Sequence, residues 1–310
     1  EIGVRLVGSE MCIRDRKERG IYMGNWAQLY ADLTAQLQAG QALGFWDNAF
    51  VGFYQSFVAA GRWRLYLNGL LTTLEATILA LLLGVVLGVV VAVIRTAHDQ
   101  QRAGHKNVIL GVFNAICKIY TTIIRGTPMM VQAMVIFWGF ALINNGVTLN
   151  VVFAGLFIVS INTGAYMAEI VRGGIISVSK GQFEGAHAIG MTHAQTMFYV
   201  VIPQVLRNIL PSVANEFVIN IKDTSVLNVI GFTELYFVAY TINSINYQTF
   251  ATYLLVAIIY FVLTFTITRI LRLIEKKMDG KKNYTVQGSQ NMDADSILRE
   301  QTAAGGNGND

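Results

Sequence analysis

Between residues 208 and 223 an otherwise apolar stretch carries Asn208, Ser212, Asn215, Glu216, Asn220, Lys222 and Asp223. Carboxylates, amides and an ammonium group are the side chains that hold a small polar or zwitterionic solute by hydrogen bonds and ion pairs. At about 100° of rotation per helical residue these seven fall within an arc of roughly 160°. Leu210, Ala214, Phe217, Val218 and Ile221 take the opposite side, so the stretch reads as an amphipathic helix with one polar face. Asn162, Tyr166 and Glu169 stand at i, i+4 and i+7 and form a second, narrower polar stripe. Lys222 and Asp223 are adjacent, point about 100° apart and therefore suit different partners.

A third constellation is the segment EGAHAIGMTHAQTMFYVVIP, residues 184–203. Gln182 to Ile189 suffices for about two helical turns, and Gly190 sits where a left-handed C-terminal cap is wanted. Thr192 and Gln195 have the spacing of a capping box that starts a second helix, which Pro203 limits. The reading is a short helix, a sharp bend and another short helix. A solvated connector is the plainer alternative.

The elements that must position these groups follow from composition. The chain has 310 residues, 54% hydrophobic and only 14% charged, which is the composition of a polytopic membrane protein. A membrane helix needs roughly 20 apolar residues, and about five stretches qualify. They are 70–94, two spans within the charge-free 126–168 divided at Asn144-Asn145-Gly146, 206–230 and 250–270. Residues 108–124 read either as an interfacial helix or as an early start to the second span, with Lys118 reaching to the interface. Lysine and arginine cluster in the connections 95–125 (five), 172–207 (three) and 269–282 (six), and are absent from 144–150 and 231–248. By the positive-inside rule the N-terminus lies outside and the C-terminus in the cytoplasm. The fold class is thus all-α, and the segment 184–203 faces the cytoplasm. A surface helix with no core beneath it calls for a partner.

The charge of +4 comes from residues at the ends of apolar runs, not from a basic stripe, so no nucleic-acid partner is indicated. Cys12 and Cys117 have no metal-type spacing, and the four histidines fall in cytoplasmic connections without an H-E-x-x-H or G-x-S-x-G pattern. No metal site and no catalytic residue is expected. Residues 1–22 read as a non-native extension, 23–65 as an external or interfacial segment rich in aromatics, and 66–277 as the transmembrane domain with its cytoplasmic segment at 177–203. Residues 278–310 read as a disordered cytoplasmic tail. An ionisable group inside a bilayer costs at least about 2.5–3.5 kcal/mol, so it needs a partner, a water-filled cavity or a function. Asn162, Tyr166, Glu169, Glu216, Asn220, Lys222 and Asp223 are the candidate walls of a translocation path. The bland readings stand beside this one: Glu169 is three residues from Arg172, an ion-pair spacing, and Asn162, Tyr166 and Asn220 serve equally as interhelical hydrogen-bonding groups. Gly84 and Gly88 form a G-x-x-x-G pattern that close helix packing explains.

Glu184-Gly185-Ala186, then Gly190, then Val200-Val201-Ile202-Pro203 resembles the EAA motif of the permeases of ATP-binding cassette (ABC) importers, with departures at Gly185, Val200 and Ile202. IIRGTPMMVQ (123–132), AYMAEIVRGGIISVSKGQFEGA (165–186), IKDTSVLNVIG (221–231) and LNGLLTTLEAT (67–77) are similar to the polar amino acid branch of that family, which takes histidine, glutamate, glutamine, arginine and opines. The resemblance covers roughly 62–277. It implies a type I importer permease of a bacterial cytoplasmic (inner) membrane, whose coupling helix, here Glu184, Gly185, Ala186, Gly190 and Pro203, seats on a cytoplasmic ABC ATPase. It also implies an external solute-binding protein, a homologous or identical second permease subunit and a polar amino acid as substrate. The sequence has no G-x-x-x-x-G-K-[ST] phosphate loop, so ATP and magnesium belong to the partner and this chain needs no cofactor. The competing reading is an ion-gradient-driven secondary amino acid transporter. Five spans without an internal repeat fit it poorly.

Overall fold

A computed structural model describes residues 26–101 and 107–278. The expected extension at 1–22 and the polar tail beyond Met278 lie outside the described residues. Every regular element among the described residues is helical. In chain order these are α1 (Trp26–Gln38), α2 (Phe45–Phe53), α3 (Trp63–Asp99), α4 (Val108–Gly126), α5 (Met129–Ile143), α6 (Val151–Ile176), α7 (Lys180–Ala188), α8 (His193–Thr196), α9 (Ile202–Asp223), α10 (Leu235–Asn246) and α11 (Thr249–Met278). Among the described residues five stretches are long and apolar enough to cross a membrane: Trp63–Asp99, Val108–Gly126, Val151–Ile176, His193–Ile230 and Thr249–Lys277.

The described residues form two compact units, 26–67 with Val238–Ile258, and 68–237 with 259–278. In the first, aromatic rings hold α1 on α2. Tyr30 stacks on Tyr54 with centroids 4.3 Å apart, and Trp26 meets Phe50 and Phe53 edge to face. After α2 a π-helical turn, Tyr54–Val58, presents Ser56, whose buried hydroxyl lies 2.9 Å from that of Thr252 and accepts from the Asn246 amide. A buried hydroxyl needs such a partner, and here it draws α2, α10 and α11 together.

The second unit is built around α6, the most enclosed of the span-length helices. Its core joins Ala76 and Ala80 of α3, Ala133 and Phe137 of α5, Ile158 and Val159 of α6, and Leu227 and Phe232 beyond α9. Gly84 and Gly88 let α3 lie against α6: a Cβ on Gly84 would stand 2.7 Å from Thr163 Cβ, and one on Gly88 2.5 Å from Met167 Cβ. No side chain fits at those separations, so close packing is the work of this pattern, as its spacing suggests.

The second span departs from the sequence reading. Residues 129–143 form only 15 helical residues, about 22 Å at 1.5 Å per residue, short of a hydrocarbon core of about 30 Å. The span-length helix is α4, the stretch that read as ambiguous. The two are separated at Gly126-Thr127-Pro128, because proline has no N–H to give the carbonyl of Ile124. Gln132 Nε2 supplies the missing donor, at 2.8 Å from Ile124 O and 2.9 Å from Thr127 O. This is how irregular backbone is tolerated inside a membrane helix. The predicted turn at 144–146 is present, with Asn145 and Gly146 at φ 52° and 85°. The stretch 231–248, read as a loop, contains helix α10.

Candidate functional site

The segment 177–203 folds much as its caps dictate. Ser179 accepts from the Gly181 N–H and starts α7. Gly190 has φ 82° and ends it, with Met191 N donating to Ala186 O and Gly190 N to His187 O. That pair of bonds is a Schellman cap, and the left-handed residue it requires is glycine here for steric reasons. Thr192 and Gln195 form both halves of the capping box, at 2.8 and 3.3 Å. Pro203 plays a different part from the one the sequence suggested. The chain stays helical through a π turn, Met197–Val201, and Pro203 lies in the first turn of α9, where a missing N–H costs nothing. It therefore does not limit the second helix.

One face of this segment is anchored and the other is bare. Ala186 is buried, and Phe183 packs with Val178, Val201, Val205 and Ile209 in a cluster that also holds Val171 of α6. Glu184 and Gly185 are exposed. So are Ile189 (79%), Phe198 (69%) and Tyr199 (76%), three large apolar side chains beside a turn. Phe183 thus ties α7 to the cluster shared by α6 and α9, and Glu184 is left exposed. A Cβ on Gly185 would touch nothing within 4 Å, so the departure from alanine there is not forced by packing.

The stripe Asn162, Tyr166, Glu169 on α6 lies along a seam with α3, α4 and α5. Asn162 Nδ2 donates to Gln132 Oε1 at 3.3 Å, which orients the amide that mends the break after α4. The Tyr166 ring lies 5.3 Å from the Arg125 guanidinium. Glu169 pairs with Arg95 of α3, with Arg125 at 3.8 Å and, more loosely, with Arg172 at 4.0 Å. Arg172 in turn grips Asp99 at 2.7 Å. The intrahelical pair foreseen from spacing exists, but it is the longest of the three contacts to Glu169.

The polar arc of α9 is divided by its neighbours. Val205, Ile209, Glu216 and Asn220, on one side of the helix, are buried, and Asn220 Oδ1 accepts from Thr163 of α6 at 3.1 Å. Pro211, Ala214, Asn215, Val218 and Lys222, about 150° round the helix, instead line clefts against α11. Lys222 is exposed and Asp223 half-buried. The single water-facing surface inferred from the helical wheel is therefore two surfaces. Glu216 is 6% exposed and, among the described residues, has no hydrogen bond or ion pair. One turn on, the Asn220 Nδ2 is buried without an acceptor. One turn apart on α9, the Glu216 carboxylate thus offers acceptors and the Asn220 N–H₂ a donor, the groups that pair with an ammonium and a carboxylate.

Two site-shaping residues went unread in the sequence. Gln132 is one; its signal was Pro128 four residues earlier. Glu234 is the other. It is wholly buried, accepts from Tyr236 N and Phe237 N at 2.9 and 2.8 Å and from the Tyr260 hydroxyl at 2.8 Å, and so caps α10. Burial pushes its carboxyl up from the ordinary value, against those three donors, which favour the charged form. Among the described residues no group of His, Cys, Asp or Glu is arranged to hold a metal ion.

Comparison with known proteins places this geometry among relatives. Residues 102–280 match the family described as binding-protein-dependent transport system inner membrane component. The chain is 39% identical over 165 residues to the L-cystine transport system permease protein TcyB of Bacillus subtilis, covering 53% of this chain and 70% of that protein. It is 35% identical over 167 residues to the glutamine transport system permease protein GlnP of Escherichia coli, covering 54% and 76%. Among solved structures, an amino acid ABC transporter crystallised with histidines superposes with a TM-score of 0.61 at 38% identity, over 69% of this chain and 94% of that one. The MetNI methionine ABC transporter shares the fold, with a TM-score of 0.53 at 20% identity.

Proposed function

The chain belongs to the family of binding-protein-dependent transport system inner membrane components, and on that premise we propose that it is the membrane-spanning subunit through which an ABC importer admits a polar amino acid. The names of its relatives, permease proteins for cystine and glutamine, support that solute class. The observation that carries the reading is the segment 177–203. Its exposed Glu184, Ile189, Phe198 and Tyr199 offer a docking face to a cytoplasmic ATPase, while Phe183 packs the same segment on a cluster shared by α6 and α9. A push on the docking face then moves the two helices that carry Glu216, Asn220 and Asn162.

In this mechanism an external solute-binding protein delivers the amino acid, and ATP and magnesium bound by the ATPase supply the work. Closure of the ATPase draws the coupling segments together and changes the side to which the path between α6 and α9 opens. Glu216 meets the solute's ammonium and the Asn220 amide its carboxylate. The chain itself makes and breaks no covalent bond. Two copies, or one copy and a homologous chain, enclose the path, with the N-terminus outside and the positively flanked segments inside.

The test is uptake by vesicles containing the permease and its ATPase, with binding protein outside and ATP trapped inside. Uptake that follows internal ATP and is indifferent to proton and sodium ionophores supports the reading. Uptake that follows an ion gradient without ATP would replace it with a secondary transporter.

A further inference from the structure

The cleft between α9 and the C-terminal half of α11 has about 270 Å³ of free volume and is lined by Lys222, Arg269 and Arg272 together with Thr264, Thr268 and Phe265. Three cations thus share one wall of a membrane protein. Among the described residues, the ion pairs join Asp99 and Glu169 to Arg95, His98, Arg125 and Arg172, and none reaches Lys222, Arg269 or Arg272. Asp223 follows Lys222 in the chain but projects about 100° away. Glu275 lines the adjoining hollow with Arg272 and makes no ion pair with it. Cations that line one cleft repel one another unless an anion joins them.

The lining specifies the anion. The hydroxyls of Thr264 and Thr268 already donate to the carbonyls of Tyr260 and Thr264, at 2.8 and 2.6 Å, so the donors left for a ligand are the ammonium and guanidinium groups. Arg269 is held over the Phe265 ring at 5.0 Å, which fixes the guanidinium and leaves its N–H edges open. Toward the other end of α11 the same wall turns apolar, with Phe261, Val262 and Ile258 more than half exposed. A ligand with phosphate oxygens at one end and hydrocarbon at the other matches both parts. The transported solute does not, because Glu216 and Asn220 lie on the other side of α9.

We propose that this cleft binds an anionic phospholipid, its phosphate on Lys222, Arg269 and Arg272 and an acyl chain along α11. Basic pockets between membrane helices hold acidic headgroups by this chemistry. The site rests on α9 and α11 being membrane spans and on nothing about the solute or the ATPase.

Native mass spectrometry of the full-length permease, taken from nanodiscs of phosphatidylcholine with one part in five phosphatidylglycerol, tests it. Wild type is expected to carry phosphatidylglycerol enriched at least tenfold over its share of the bilayer. Arg269→Gln with Arg272→Gln is expected to lose that enrichment, and Lys222→Gln to weaken it severalfold. Lys276→Gln with Lys277→Gln, the same change of charge one turn beyond the cleft, is expected to keep it. Arg269→Lys with Arg272→Lys retains partial enrichment and guards against a folding defect in the glutamine pair. Equal loss in the two glutamine pairs would reduce the effect to surface charge and overturn the site. No enrichment in wild type would overturn it too, including where a second subunit covers the cleft. Displacement of the lipid by millimolar inorganic phosphate would assign the cleft to a free anion instead.

Discussion

Glu169 and Glu216 are carboxylates on neighbouring helices of one unit, and their surroundings are opposite. Glu169 sits among three arginines drawn from α3, α4 and its own helix, with Asp99 completing the network. Glu216 is more deeply buried and has no such partner among the described residues. A compensated charge is part of the scaffold, because removing either partner strands the other. An uncompensated one leaves its acceptors open to another group. The polar groups of a membrane helix are thus sorted by what surrounds them, not by residue type or by position on a helical wheel.

The largest effect that would break this contrast concerns Glu216. Glu216→Gln keeps the volume and removes the charge, and solute uptake into ATP-loaded vesicles is expected to fall at least tenfold at unchanged membrane abundance. Glu169→Gln, measured alongside, is expected to cost stability more than transport per folded molecule. Equal transport loss with equal loss of abundance would erase the distinction.

The scaffold role is sharpened from the other partner. Arg95→Ala removes the nearest partner of Glu169 and leaves it Arg125 and Arg172; since both side chains keep some contact with solvent the expected destabilisation is about 2 kcal/mol, below the 3–5 kcal/mol of a fully buried pair. Thermal unfolding in detergent reads it directly. Arg95→Met combined with Glu169→Leu should recover part of that loss, because Arg172 keeps Asp99 and only Arg125, itself partly exposed, loses its carboxylate. A double variant no better than Arg95→Ala would show that packing, not charge, holds the seam.

Gly88→Ala probes the same seam without touching a charge. Its new Cβ meets Met167 and the backbone of Ala168 inside 3 Å, so a loss of about 1–3 kcal/mol is expected from overpacking. Gly185→Ala is the smallest change. It meets no neighbour and raises helix propensity, so α7 should gain up to about 1 kcal/mol with uptake unchanged. Hydrogen exchange across 180–188 would report the gain.

The fold of the segment 177–203 was legible because its instructions are local: Gly190, Thr192 and Gln195 act within a few residues of themselves. Pro203 was misjudged because a helix stop and a first-turn proline look alike until the π turn before it is seen. The span pattern was legible from hydropathy, apart from the break at Pro128, whose repair by Gln132 needs a side chain four residues away and an orienting Asn162 thirty residues on. The polar arc of α9 was read as one face because a wheel contains one helix. Its division between α6 and α11 is a fact about three. Glu234 was invisible for the same reason, since Tyr260, which donates to it, stands 26 residues away on another helix.

The central claim is that 177–203 joins an ATPase to the path between α6 and α9. Glu184→Lys combined with Gly190→Val reverses a charge on the exposed face and places a β-branched residue at φ 82°, without changing any residue of α6 or α9. Recovery of the ATPase on tagged permease, followed by ATP hydrolysis in vesicles with and without solute-loaded binding protein, measures the joint. The account predicts normal membrane abundance, weakened ATPase recovery and loss of solute-stimulated hydrolysis. Undiminished recovery and undiminished stimulation would contradict it.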